Sequence, residues 1–188
     1  GEGGGVLLNQ CLHQLDVMQW ILGMPAKVRS EVCIGKYHDI EVEDDVTCYM
    51  EYPNGASGVF ITSTGETPGS NRFEIAGTKG RVLLENDKLV FTKNAVPSDE
   101  WSKTSKIGFQ QPDTTVEEIP ISTTPVSHAT MIANFCDAIL DGTDLIAPGE
   151  SGIGSVELAN VMLFSGLIDE TIELPMDGAA WEAKLNDL

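Results

Sequence analysis

The chain has 188 residues, 41% of them hydrophobic, which is long and apolar enough for one ordinary domain with a sizeable core. Its 29 Asp plus Glu against 11 Lys plus Arg give a formal net charge of -18, a field that repels phosphate backbones, so no nucleic-acid partner is expected. The widely spaced Cys11, Cys33, Cys48 and Cys136 form no CxxC and read as reduced thiols of a cytoplasmic protein, and unbroken apolar runs fall short of the roughly 18 residues of a membrane span, so no membrane partner is expected.

The opening GEGGGVLL has neither an initiator Met nor a basic leader, and we read the chain as a piece of a longer protein. From Val6 to Leu22 the residues Leu8, Leu12, Leu15, Met18 and Leu22 recur at steps of three and four, which predicts one amphipathic helix stopped by Gly23 and Pro25. Between Ala26 and Tyr37 the period shortens toward two, placing Val28, Ser30, Val32 and Ile34 on one side of a strand. The acidic run Asp39 to Asp45 reads as a solvated loop. Next, DVTCYMEYP and ASGVFITSTG flank Asn54-Gly55 as a hairpin, with both turn residues expected at positive φ.

NRFEIAGTKGRVLLENDKLVFT continues the antiparallel meander through a turn at Gly77 to Gly80 and a second at Asn86-Asp87. The Pro-, Ser- and Thr-rich stretch from Lys93 to Pro125 reads mostly as loop, apart from a strand near Val116 to Ile121. Ser127 is placed to cap a helix ending at Asp141-Gly142, a second helix follows Pro148 and Gly149, Thr171 to Leu174 reads as a short strand, and GAAWEAKLNDL as a closing helix or irregular tail. This order predicts an α+β fold: a large, open, mostly antiparallel sheet with helices packed on one face.

The candidate chemistry lies near the start. On one continuous helix Asn9 and His13 would stand a turn apart, with Asp16 on a neighbouring line, so that their side chains converge on a ligand. Histidine is the side chain that titrates near neutrality and serves as proton carrier, whereas Asn offers a donor and an acceptor but takes up no proton. The same spacing also fits an early-turn Asn, a half-buried His and a solvent-facing Asp. Gly3, Gly4 and Gly5 could admit a ligand to backbone amides or serve as an entrance loop, but they do not make a GxGxxG fingerprint. No metal is expected, because Cys11 and His13 diverge on a helix and His38 lies in an acidic loop without ligand spacing.

GGGVLLNQCLHQLDVMQWILGMP resembles the segment that opens the C-terminal domain of the Gfo/Idh/MocA oxidoreductases, the glucose-fructose oxidoreductase and inositol dehydrogenase superfamily. EDDVTCYMEYPNGASGVFITSTG is similar to that family's sheet hairpin, FEIAGTKGRVLLEN to its next strand pair, and FCDAILDGTDLIAPGESGIGSVELANVM to its late helices. The resemblance implies that residues 1–188 are a substrate-binding and oligomerisation domain, that an N-terminal Rossmann domain binding NAD or NADP lies outside this chain, and that the piece alone has no dehydrogenase activity. It implies a sugar, cyclitol or sugar derivative as substrate, oxidised at a hydroxyl.

By the same resemblance His13 falls on the catalytic histidine, and Asn9 falls where many members carry an aspartate and is expected to bind a substrate hydroxyl. Asp16 matches the last acidic position of the motif, where a bracing role is one reading. The open sheet face, with Val59 and Ile61 alternating against Phe60 and Thr62, is expected to pack against a sister subunit in a homodimer or homotetramer. The alternative is a catalytically silent relative that serves sugar binding or assembly, with Asn9 marking lost chemistry.

Overall fold

The computed structural model describes residues 4–121 and 127–188, so Gly3 of the glycine cluster and Pro125 at the end of the loop-rich stretch lie outside the described residues. The chain forms two compact units, Gly1–Thr67 with Asn134–Leu188, and Pro68–Ala133. The expected α+β class holds, and the antiparallel strands divide into two hydrogen-bonded ladders, one in each unit.

In the first unit a π-helical turn, Val6–Gln10, leads into α1, Leu12–Leu22. Strand β1, Lys27–Ile34, pairs with β2, Glu43–Glu51, which pairs with β3, Ser57–Ser63. Alternation puts Val28, Ser30, Val46, Cys48 and Met50 on the buried face, and a register shift at Cys33/Ile34 turns Ile34 out of the expected pattern. The β2–β3 connection also differs from a two-residue turn. Gly55 has φ 84, Asn54 is not at positive φ, and the N–H of Gly55 donates to Tyr52 O at 2.9 Å, so the reversal spans Tyr52 to Gly55 and needs only one left-handed residue.

The second unit carries β4, Arg72–Gly77; β5, Gly80–Glu85; β6, Lys88–Asn94; and, after the helix α2, Ser98–Thr104, the strand β7, Thr114–Ile119, all in antiparallel succession. Asn86 and Asp87, at φ 51 and 59, make the expected tight turn between β5 and β6. The stretch read as loop thus contains α2, started after Pro97 with Asp99 and Glu100 in its first turn and Lys103 in its last.

Helix α3, His128–Asp141, begins where Ser127 Oγ accepts from the N–H of Thr130 at 3.3 Å and ends before Gly142 at φ 70, as its sequence predicts. A short 3-10 turn, Gly149–Gly152, runs into α4, Ile153–Ile168. Together they span 20 residues, a length and composition sufficient to cross a bilayer, contrary to the count of unbroken apolar runs. In this fold α4 is the central core helix, burying Leu158, Ala159, Val161, Met162 and Phe164. It lies so close to β1 that a Cβ on Gly166 would stand 2.3 Å from Val32 Cγ2, while Ser165 Oγ accepts from the N–H of Ser30 at 3.0 Å. Strand β8, Ile172–Glu173, adds to the free side of β1, and α5, Gly178–Asn186, closes the chain with Asp177 accepting from the N–H groups of Ala179 and Ala180. Trp181 of α5 packs on Phe164 at 5.5 Å between ring centroids.

Candidate functional site

The predicted continuous helix from Val6 to Leu22 is broken into two, and the cause lies in β2. Glu43, 2% exposed, points its carboxylate at the entry: Oε1 accepts from the N–H of Leu7 at 3.1 Å. A Cβ on Gly5 would stand 2.1 Å from Glu43 O, so only glycine lets the backbone come this close. The chain anchored there takes one residue more per turn, with Cys11 N–H donating to Val6 O at 2.9 Å, and α1 begins at Leu12 with Leu15 N–H donating to Cys11 O. Leu15 and Met18 of the expected apolar face are buried, whereas Leu22 is turned outward.

Asn9 stands on the π-helical turn and His13 in the first turn of α1, both exposed, on either side of Cys11. They therefore share a junction instead of one α-helical face. Cys11 Sγ contacts Thr62 Oγ1 of β3 at 2.9 Å, which ties the junction to the sheet. Burial pushes the Cys11 thiol up, against the hydrogen bond from Thr62 and with the charge of Glu43 adding to the rise, so it is a packing peg and not a nucleophile. Asp16 Oδ1 accepts from Gln19 Nε2 at 3.1 Å, a brace within α1.

A second polar cluster, read from sequence as part of a solvated acidic loop, is in fact built into the sheet. Asp44 is fully buried, and its carboxylate accepts from the N–H groups of Lys36 at 2.9 Å, Tyr37 at 2.8 Å and His38 at 3.1 Å, and meets His38 Nδ1 at 3.2 Å. Burial alone would raise this carboxyl. The N–H donors of Tyr37 and Lys36, the His38 ring and the His38 N–H outweigh it and hold Asp44 below the usual carboxylate range. The available signal is the alternation Asp44, Val46, Cys48, Met50, which puts Asp44 on the buried face of β2. Cys48, four residues along the same face of β2, is pushed up to about 11 by burial, with the Ser30 hydroxyl acting against the rise.

Of the glycine cluster, Gly5 serves close packing on Glu43 and Gly4, at φ 148, shapes the entry. Every strand pairing among the described residues is antiparallel, so these residues offer no βαβ cradle for a dinucleotide.

Residues 1–83 match the GFO/IDH/MocA C-terminal domain family. The chain is 24% identical over 172 residues to the inositol 2-dehydrogenase of Rhizobium meliloti (strain 1021), covering 87% of this chain and 48% of that protein. It is 32% identical over 85 residues to the trans-1,2-dihydrobenzene-1,2-diol dehydrogenase of Bos taurus, covering 44% of this chain and 24% of that protein. Among solved structures, an NAD-binding protein from Listeria innocua superposes with a TM-score of 0.68 at 18% identity, over 91% of this chain and 48% of that one, a likeness of fold. The chain thus spans about half the length of the inositol dehydrogenase it matches. Residues 1–83 thus match the GFO/IDH/MocA C-terminal domain family, and the fold over most of the chain is that of the solved NAD-binding protein.

Proposed function

We propose that the chain is the substrate-binding and assembly part of an NAD(P)-dependent oxidoreductase acting on a CH–OH group of a sugar, cyclitol or sugar derivative. The observation that carries this reading is the junction at Cys11: Gly5 and Leu7 are fixed on buried Glu43, Cys11 is fixed on Thr62, and Asn9 and His13 stand exposed on either side of Cys11, with Gln10 and Gln14 exposed beside them. The family match and the likeness to an inositol dehydrogenase along most of the chain support the same reaction class.

A nicotinamide held by a separate nucleotide-binding domain supplies hydride acceptance when bound. This chain's part is proton and substrate handling. An imidazole nitrogen of His13 takes up the proton of the reacting hydroxyl, and returns it in the reverse direction. The Asn9 amide donates to or accepts from a substrate hydroxyl and so sets its orientation, without itself exchanging a proton.

In the full-length protein, His13→Ala is expected to lower kcat by about 10²-fold or more while leaving KM within a small factor, read from nicotinamide absorbance with a cyclitol and sugar panel. Unchanged turnover would remove His13 from the chemistry. Absence of turnover on every substrate of the panel in the unsubstituted protein would favour the silent binding relative.

A further inference from the structure

The only histidine ring that meets a carboxylate among the described residues belongs to His38, outside the junction just described. Its Nδ1 lies 3.2 Å from Asp44 Oδ2 and 3.2 Å from Thr64 Oγ1. The Thr64 hydroxyl donates to Asp44 O at 3.4 Å, so it presents a lone pair to the ring, and both neighbours of Nδ1 are acceptors. The proton of the neutral ring therefore sits on Nδ1, and Nε2 carries a free lone pair pointing away from Asp44.

The ring is also held in place. Three successive N–H groups of its loop end on Asp44, and the Tyr37 ring lies on the bare backbone of Gly65, where a Cβ would stand 2.3 Å from Tyr37 Cγ. The His38 side chain nevertheless remains 47% exposed. An acceptor fixed from behind and open in front is the arrangement that recognises a donor on a ligand.

Its place on the sheet connects it to the junction. Thr62, which holds Cys11 between Asn9 and His13, pairs with Val46 on the inner face, and Thr64 follows two residues along the same chain, its N–H donating to Asp44 O at 2.9 Å. Two strand residues cover about 7 Å, so the contact holding His38 lies about that far along the chain from the contact holding the junction. A six-carbon polyol engaged at the junction has hydroxyl groups to spare over such a span.

We propose that His38 is a specificity residue whose outward Nε2 accepts a hydrogen bond from a substrate hydroxyl remote from the reacting carbon, selecting polyhydroxylated substrates over simple diols. This rests on the reading of the chain as the substrate-binding part of a polyol oxidoreductase. His38 positions and selects, and transfers no proton.

The test uses the full-length protein with myo-inositol and with trans-1,2-dihydrobenzene-1,2-diol, whose two adjacent hydroxyls leave none for His38. His38→Asn keeps an amide N–H where Nδ1 donates to Asp44 and deletes the outward acceptor, whereas His38→Gln puts an amide oxygen near Nε2. His38→Asn is expected to raise KM for myo-inositol by about five- to tenfold with kcat and the diol KM unchanged within twofold, and His38→Gln to restore most of the loss. An unchanged myo-inositol KM, or an equal change for both substrates, overturns the proposal. Ring nitrogen NMR of the unsubstituted protein gives a readout independent of turnover and of variant folding. A shift of His38 Nε2 on adding myo-inositol supports the assignment even where no substrate is oxidised, and no shift at saturating concentration overturns it, so its failure is distinct from failure of the dehydrogenase reading.

Discussion

The N–H of Leu7 donates to Oε1 of Glu43 across 36 positions of chain, and this bond sets the geometry of the junction that bears Asn9 and His13. The carboxylate is buried and the Gly5 backbone lies directly against it, so neither partner has room to move. Glu43→Ala is expected to destabilise the chain by about 1–3 kcal/mol, because Leu7 N–H is left buried without its acceptor. Gly5→Ala is expected to cost a similar amount, about 1–3 kcal/mol, by forcing a methyl against Glu43 O. Urea unfolding of both variants checks this. Midpoints equal to the unsubstituted chain would show that the entry is not held by Glu43.

Asp44 makes stability depend on acid in a defined direction. Its folded-state pKa is lowered from 3.8, although burial by itself would raise it, because N–H donors from Tyr37, Lys36 and His38 favour the carboxylate. A lowered folded pKa means that the stabilisation is fully present above the unfolded value and is lost as pH falls through that value and then through the folded one. The urea midpoint should therefore fall more steeply below about pH 4 in the unsubstituted chain than in Asp44→Asn, and the two should differ by a constant amount near neutrality. Parallel curves over the acid range would mean that Asp44 does not carry this dependence.

Local signals in the sequence reached their proper places. Leu15 and Met18 are buried as their spacing predicts, Asn86 and Asp87 turn at positive φ, and Ser127 caps the helix that follows it. The failures around the candidate site share one cause: a decision made by residues distant in sequence. The extra residue in the turn at Val6–Gln10 follows from Glu43, which no window around Asn9 contains. Glu43 and Asp44 sit in an acidic run whose composition reads as solvated, yet the strand that starts there buries both. For the candidate site, Asn9 and His13 can be singled out from sequence together with a family resemblance, whereas the fixed ring of His38 depends on Asp44 and Thr64, whose placement around it no local spacing encodes.

The outer face of β2 and β3 carries the assembly proposed for this chain. Tyr49 pairs across the strands with Val59, and Thr47 with Ile61, so the two strands form one patch in which Tyr49, Val59 and Ile61 are 46%, 60% and 66% exposed. Apolar side chains on an exposed sheet face lose solvent contact when a second copy of the same face packs on them, which stabilises association without altering the inner face of the sheet. Ile61→Asp places a charge in that contact, where burying it unpaired is costly. Sedimentation of the full-length protein is expected to show a dimer or larger assembly for the unsubstituted chain and a species of lower mass for Ile61→Asp. The variant should keep the same urea midpoint measured at low concentration, because Ile61 contributes little to the folded core of its own chain. An Ile61→Asp protein that sediments as the unsubstituted one does would place the subunit contact away from this face.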